Sequence, residues 1–97
     1  MKELAQIRRE LDHTDRALVA LFEQRMNLSR QVAAYKLAHG LPVLDASREA
    51  QVLESRRAML KDSAWAPAVT ELYETLMALS RREQGRLTAE AEEAGKS

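Results

Sequence analysis

From Met1 to His39 the chain runs 39 residues without a Gly or a Pro, and apolar residues recur at Leu4, Ile7, Leu11, Leu18, Leu21, Leu28 and Val32. Spacings of this kind, built from steps of three and four, place them along one face of a helix. The pattern is interrupted where another Leu is due, by Arg25. A helix of this length spans more than about 50 Å at ~1.5 Å per residue, whereas a compact chain of this size has a radius of gyration near ~12.5 Å. One copy cannot cover such a seam. It predicts burial against other long helices, most simply those of a second copy, and an arginine set within it needs an anion.

At 97 residues the chain is one domain, and with only three Gly and two Pro to punctuate it, the expected class is all-α. Hydrophobic residues make up 45% and charged residues 31%, the balance of a charge-rich helical protein. Lys+Arg and Asp+Glu both total 15, so no global field exists to hold nucleic acid or an anionic membrane, and any attraction for anions must be local. There is no Cys, hence no disulfide framework and no thiolate chemistry. The start, MKELAQIRRELD, is charged and amphipathic, and no apolar run approaches ~18 residues, so neither a signal peptide nor a membrane span is visible. A cytoplasmic location is the expectation.

The first break is HGLPV, residues 39–43, where Gly40 suits the position after a helix end and Pro42 forbids continuation. In LDASRE, Asp45 or Ser47 can cap a second helix running to about Leu60, with Val52, Leu53, Met59 and Leu60 on its apolar side. It is short and is expected to pack across the long helix. Asp62 and Ser63 serve as turn or cap residues, and Pro67 sits near the first turn of a third helix from about Ala66 to Leu87. Its stripe is Val69, Leu72, Tyr73, Leu76 and Leu79, continued by Ser80, Gln84 and Leu87. The tail from residue 89 to 97 is acidic, without a hydrophobic face, and is expected to be a frayed or disordered tail or linker.

Three groups of residues can carry chemistry. Arg25 and Lys36 are 11 residues apart, which returns to within about 20° of the same helix face and separates their Cα atoms by about 16 Å. Two long side chains can bridge that distance to one small ligand. Arg8 lies about 25 Å further along the axis, too far to join them within one chain, but an antiparallel partner helix would bring its own Arg8 toward Arg25. Each also has a plain structural reading: Arg8 with Arg9 as a solvated face, Arg25 snorkelling at an edge, Lys36 complementing the helix dipole. Asp45 and Glu49 stand at the start of the second helix, where capping is the default role, and Arg48 between them can be a local ion-pair partner. Ser80 and Gln84 are uninformative singly, but together on an apolar stripe they read as hydrogen-bonding groups aimed inward. His13 and His39 are 26 residues apart without matched ligands, which argues against a metal site. No nucleophile is paired with a base and no Gly-rich phosphate loop is present, so the chemistry expected needs neither covalent catalysis nor a cofactor.

Taken in order, IRRELDHTD around Arg8, LFEQR ending at Arg25, YK ending at Lys36, PVLDASRE from Pro42 to Glu49, and SRREQ from Ser80 to Gln84 resemble the all-helical chorismate mutase family. The resemblance covers residues from about 3 to 88, with spacings of 17, 11, 9, 3, 1, 31 and 4 residues from Arg8 through Gln84. It implies an intertwined homodimer of three-helix chains with two shared active sites, a mutase domain over residues 1–88, and the conversion of chorismate to prephenate in phenylalanine and tyrosine biosynthesis. It further implies that Arg25 and the partner's Arg8 hold the two substrate carboxylates, and that Lys36 and Gln84 donate to the ether oxygen. Arg48 would help enclose the ligand, Glu49 and the backbone at Asp45 would bind the ring hydroxyl, and Ser80 would assist a carboxylate. The least family-like stretch is RRAMLKDSAWAP, which bears on loop shape and not on the site.

Rival readings share these residues. An isochorismate-pyruvate lyase of the same fold matches at Arg8, Arg25, Lys36 and Gln84, though the full PVLDASRE motif and Ser80 argue against it. A mutase acting on 4-amino-4-deoxychorismate is equally compatible, and a non-catalytic helical dimer module would have no need for Arg25 together with Ser80 and Gln84. Domains of this type often precede a prephenate-processing enzyme in a longer chain, and the tail would then serve as a linker.

Overall fold

A computed structural model describes residues 1–95 and contains α1 (Leu4–Ala38), α2 (Ala46–Ala58) and α3 (Ala66–Gly95), the last preceded by a single 3₁₀ turn (Ser63–Trp65). No strand occurs among the described residues. The all-α expectation and the three-helix count therefore hold.

The chain reversals are made by the residues that local chemistry favours. Gly40 takes φ +63°, a left-handed conformation that costs glycine little, and lets the Leu41 N–H reach the Lys36 carbonyl at 2.8 Å. With the Gly40 N–H bonded to the Leu37 carbonyl at 3.4 Å, this is a Schellman ending, and it ties off carbonyls that α1 would otherwise leave bare. Asp45 caps α2 by accepting from the Arg48 N–H at 3.0 Å, and Asp62 caps the 3₁₀ turn by accepting from the Ala64 N–H at 2.9 Å. Pro67 then falls in the first turn of α3, where no intrahelical donor is lost.

α3 lies along α1, and α2 packs against α3. That corrects the expectation that α2 lies across α1. The apolar side of α2 amounts to buried Val52 and half-buried Leu53, and it meets α3, whose Met77 is buried. The end of α3 also differs from expectation. It continues through 88–95 instead of fraying after Leu87, because Ala and Glu are strong helix formers and an Arg86–Glu90 ion pair spans one turn. Lys96 and Ser97, the rest of the expected tail, lie outside the described residues. Glu83 joins the two long helices by accepting from Arg30 at 3.2 Å while also pairing with Arg86. The bond from Arg86, with that from Arg30, holds the Glu83 carboxyl below its ordinary value.

A single chain buries almost nothing. Among the described residues the buried apolar side chains are Ala33, Val52 and Met77, with no large side chain fully buried, and the seven seam residues of α1 are 40–61% exposed. The radius of gyration is 17.5 Å and the extents are 63 × 27 × 15 Å, far from the ~12.5 Å of a compact chain this long. The seam is thus present as predicted, and one chain leaves it uncovered.

Candidate active site

The C-terminal half of α1, the N-terminal half of α2 and the middle of α3 enclose a cavity of about 330 Å³, within the ~300–1,000 Å³ typical of small-molecule sites. Seven of the eight residues singled out from the sequence line it: Arg25, Lys36, Asp45, Arg48, Glu49, Ser80 and Gln84. Arg8 does not. It is exposed on the outer half of α1 and belongs to no wall of this chain's cavity.

Each side chain is placed by its helix. Arg25, Leu28, Ser29, Val32 and Lys36 recur at steps of three and four, so one face of α1 supplies them all. The Arg25 guanidinium sits 5.7 Å from the centroid of the Tyr73 ring, and Arg56 lies 5.8 Å from the same ring. The ring attracts both cations, and while Arg56 also donates through Nη1 to Ser55 Oγ at 2.7 Å, the Arg25 donors remain available to an anion. Lys36 donates to the Val43 carbonyl at 2.6 Å. The Schellman turn brings that carbonyl back over the helix end, fixing the ammonium with two of its three donors still available.

From α3, Met77, Ser80, Arg81 and Gln84 share one face. Gln84 is 5% exposed and donates through Nε2 to Ser80 Oγ at 2.9 Å. Ser80 Oγ is 2.7 Å from Ser29 Oγ, and Ser29 in turn donates to the Arg25 carbonyl at 3.1 Å. Since the one Ser29 hydrogen is used on that carbonyl, the Ser80 hydroxyl must donate to Ser29. A directional chain therefore runs from Gln84 through both serines to the backbone under Arg25. It leaves Gln84 with one free N–H, while its Oε1 is buried without a partner among the described residues. Such an atom costs ~1–3 kcal/mol when left unpaired.

Arg81 donates through Nη1 to both oxygens of Glu49, joining α3 to α2 across the cavity wall. Asp45 is engaged at its cap, and Arg48 donates through Nη1 to Gln51 Oε1, one turn further along α2, at 3.0 Å. Five cationic side chains thus face two carboxylates, both already occupied, in a chain whose overall charge is zero. The excess is a field for a multiply charged anion. Among the described residues no group of three or more His, Cys, Asp or Glu is placed to hold a metal, and no helix is long and apolar enough to cross a membrane.

The sequence reading missed Ser29, Arg56 and Arg81. Ser29 stands four residues after Arg25 and seven before Lys36, so the same-face argument that paired those two could have found it. Arg81 lies four residues from Met77 and three from Gln84, but the apolar stripe traced through Leu72 and Leu79 passed it over because it is charged. Leu72 is in fact 48% exposed, and the inward face of α3 is turned toward Met77.

Comparison with known proteins finds relatives over part of the chain. A 57-residue segment is 42% identical to the T-protein of Haemophilus influenzae, covering 59% of this chain and 15% of that protein. A 55-residue segment is 40% identical to the T-protein of Enterobacter agglomerans, covering 57% of this chain and 15% of that one. The chorismate mutase of Methanocaldococcus jannaschii is 31% identical over 62 residues, 64% of this chain and 63% of that protein. The chain thus spans about 15% of the length of the T-proteins it matches and under two thirds of the archaeal enzyme. No solved structure matches it. The family model for chorismate mutase type II matches residues 7–85, most of the chain, and the chain belongs to that family.

Proposed function

We propose that this protein catalyses the intramolecular rearrangement of chorismate to prephenate, the step toward phenylalanine and tyrosine, within the cytoplasm. The observation that carries the reading is the cavity's cationic lining, with Lys36 on α1 and buried Gln84 on α3 both holding free N–H donors beside Arg25. In this reaction one C–O bond breaks as one C–C bond forms, and no proton is transferred. A site therefore needs to do two things: hold a flexible dianion in its compact reactive shape, and stabilise charge gathering on the ether oxygen. Arg25, oriented on Tyr73, suits the first task as a bidentate carboxylate fork. Lys36 and Gln84 suit the second. Arg48 closes over the ligand, Glu49 with the backbone of Asp45 receives the ring hydroxyl, and Ser80, its one hydrogen given to Ser29, serves by holding the Gln84 amide in place instead of donating to a carboxylate.

The second substrate carboxylate is the role of Arg8 from another copy. The uncovered α1 seam supports this, since a two-fold partner running antiparallel along it would cover the apolar residues and bring its own Arg8 toward Arg25. The much longer T-proteins support a further reading, in which residues 1–88 form the mutase domain and the tail connects it to a prephenate-processing domain where such a chain is longer.

An ultraviolet assay of chorismate loss with identification of prephenate tests the activity. Pyruvate release from isochorismate would assign the lyase instead, and inertness toward chorismate and its analogues would leave a binding module. For the shared site, mixing inactive Arg8→Ala chains with inactive Arg25→Ala chains is expected to restore activity, because one site of each mixed dimer carries both defects and the other neither. Recovery should reach about half of wild type per mixed dimer, or about a quarter overall for random exchange. Absence of recovery after demonstrated subunit exchange would place Arg8 outside the partner's site.

A further inference from the structure

The two walls of the cavity differ in charge. Arg25 and Lys36 on α1 present free donors and no carboxylate, whereas α2 and its cap present both of the cavity's carboxylates, Asp45 and Glu49, interleaved with Arg48 and Arg56. A dianion that places its carboxylates against the α1 cations therefore turns its ring substituent toward the end that holds the carboxylates. What that end can accept depends on whether its carboxylates are free. Asp45 accepts one bond, through Oδ1 from the Arg48 N–H at the positive end of α2, whereas Glu49 takes the Arg81 guanidinium on both oxygens. A free carboxylate would draw an ammonium group by charge. One with a guanidinium already against it offers lone pairs but little net field, since the attraction to Glu49 and the repulsion from Arg81 oppose each other at similar distances.

We infer that Arg81 sets the substrate specificity of this cavity, cancelling the charge of Glu49 so that a ring hydroxyl is accepted and a ring ammonium is refused. The inference rests on the mutase reading and sharpens it: of chorismate and 4-amino-4-deoxychorismate, which differ in carrying a hydroxyl or a protonated amine at the same ring carbon, the site selects the first. Arg81 acts through Glu49, as a positioning residue on the wall between the helices. Both residues also line a second groove, between α2 and α3, so the pair is the partition that closes this end of the cavity.

The test compares kcat/KM for the two compounds in the full-length chain carrying Arg81→Gln, Arg81→Met or Arg81→Lys, and in the unaltered protein. Calorimetric binding of each compound is measured alongside. The preference for chorismate is expected to fall at least tenfold in Arg81→Gln and Arg81→Met, mainly through KM for the amino compound, and to survive in Arg81→Lys, which keeps the charge. A general loosening of the wall would weaken both compounds together and leave the ratio unmoved. An unchanged ratio in the Gln and Met variants, by turnover and by binding, would overturn the inference while leaving the mutase reading standing. So would a Lys variant as permissive as the Gln variant. If the unaltered protein converts neither compound, the mutase reading fails, and the binding ratios still decide what Arg81 does.

Discussion

Replacing Lys36 by alanine is expected to lower kcat/KM for chorismate by at least about a hundredfold, equivalent to about 2.7 kcal/mol of transition-state stabilisation. The ammonium is held by the Val43 carbonyl at the end of a Schellman turn, so its position is set before substrate arrives. A donor aimed at an oxygen that becomes charged only as the C–O bond breaks contributes mainly to kcat. Arg25→Ala should cause a loss of similar size by a different route. Its target carboxylate is charged in substrate and transition state alike, so KM should rise as kcat falls. Both side chains are half-buried at the cavity wall and not in the apolar interior, so the variants should remain folded by circular dichroism. Activity within a few-fold of normal in either variant would remove that residue from the assignment.

Gln84→Glu is expected to cost at least about a hundredfold at pH 7–8 and to recover as pH falls toward 5. The amide donates at any pH, whereas a glutamate donates only when protonated. Buried beside Ser80, an ionised carboxylate would stand against negative charge developing on the ether oxygen instead of relieving it. The unaltered protein should show a comparatively flat profile, because the substrate's own carboxylates stay ionised above about pH 5. Equal activity of the variant at pH 8 and pH 5 would mean that Gln84 does not donate to the reacting oxygen.

Much of this arrangement could be read from the residues because it depends on helical periodicity and on turn chemistry. Arg25 and Lys36 fall on one face of α1 by spacing alone, and Gly40, Asp45 and Asp62 end or begin helices for reasons local to each. Ser80 and Gln84 could be seen turning polar within an apolar stripe. What could not be read was set by contacts between helices. That α2 would pack on α3 is a matter of tertiary contact and not of any local signal. That Arg81 would swing toward Glu49, 32 residues earlier, is a property of how α2 meets α3. α3 continues through the acidic tail for a simpler reason: the strong helix propensity of Ala and Glu sustains a helix there without a hydrophobic face.

The bare seam of α1 bears on how this protein holds its shape at all. With only three apolar side chains buried per chain among the described residues, an isolated copy has too little interior to offset the entropy of ordering 95 residues. Folding and association would then be a single equilibrium, two disordered chains against one assembled pair, with no native monomer between them. Its midpoint would move with protein concentration, so a tenfold dilution should lower the melting temperature measurably, and calorimetric scans at several concentrations would reveal the shift. A concentration-independent melt would instead mark a chain able to fold alone. On this view the seam is the larger part of each copy's hydrophobic core, completed only when a second molecule arrives.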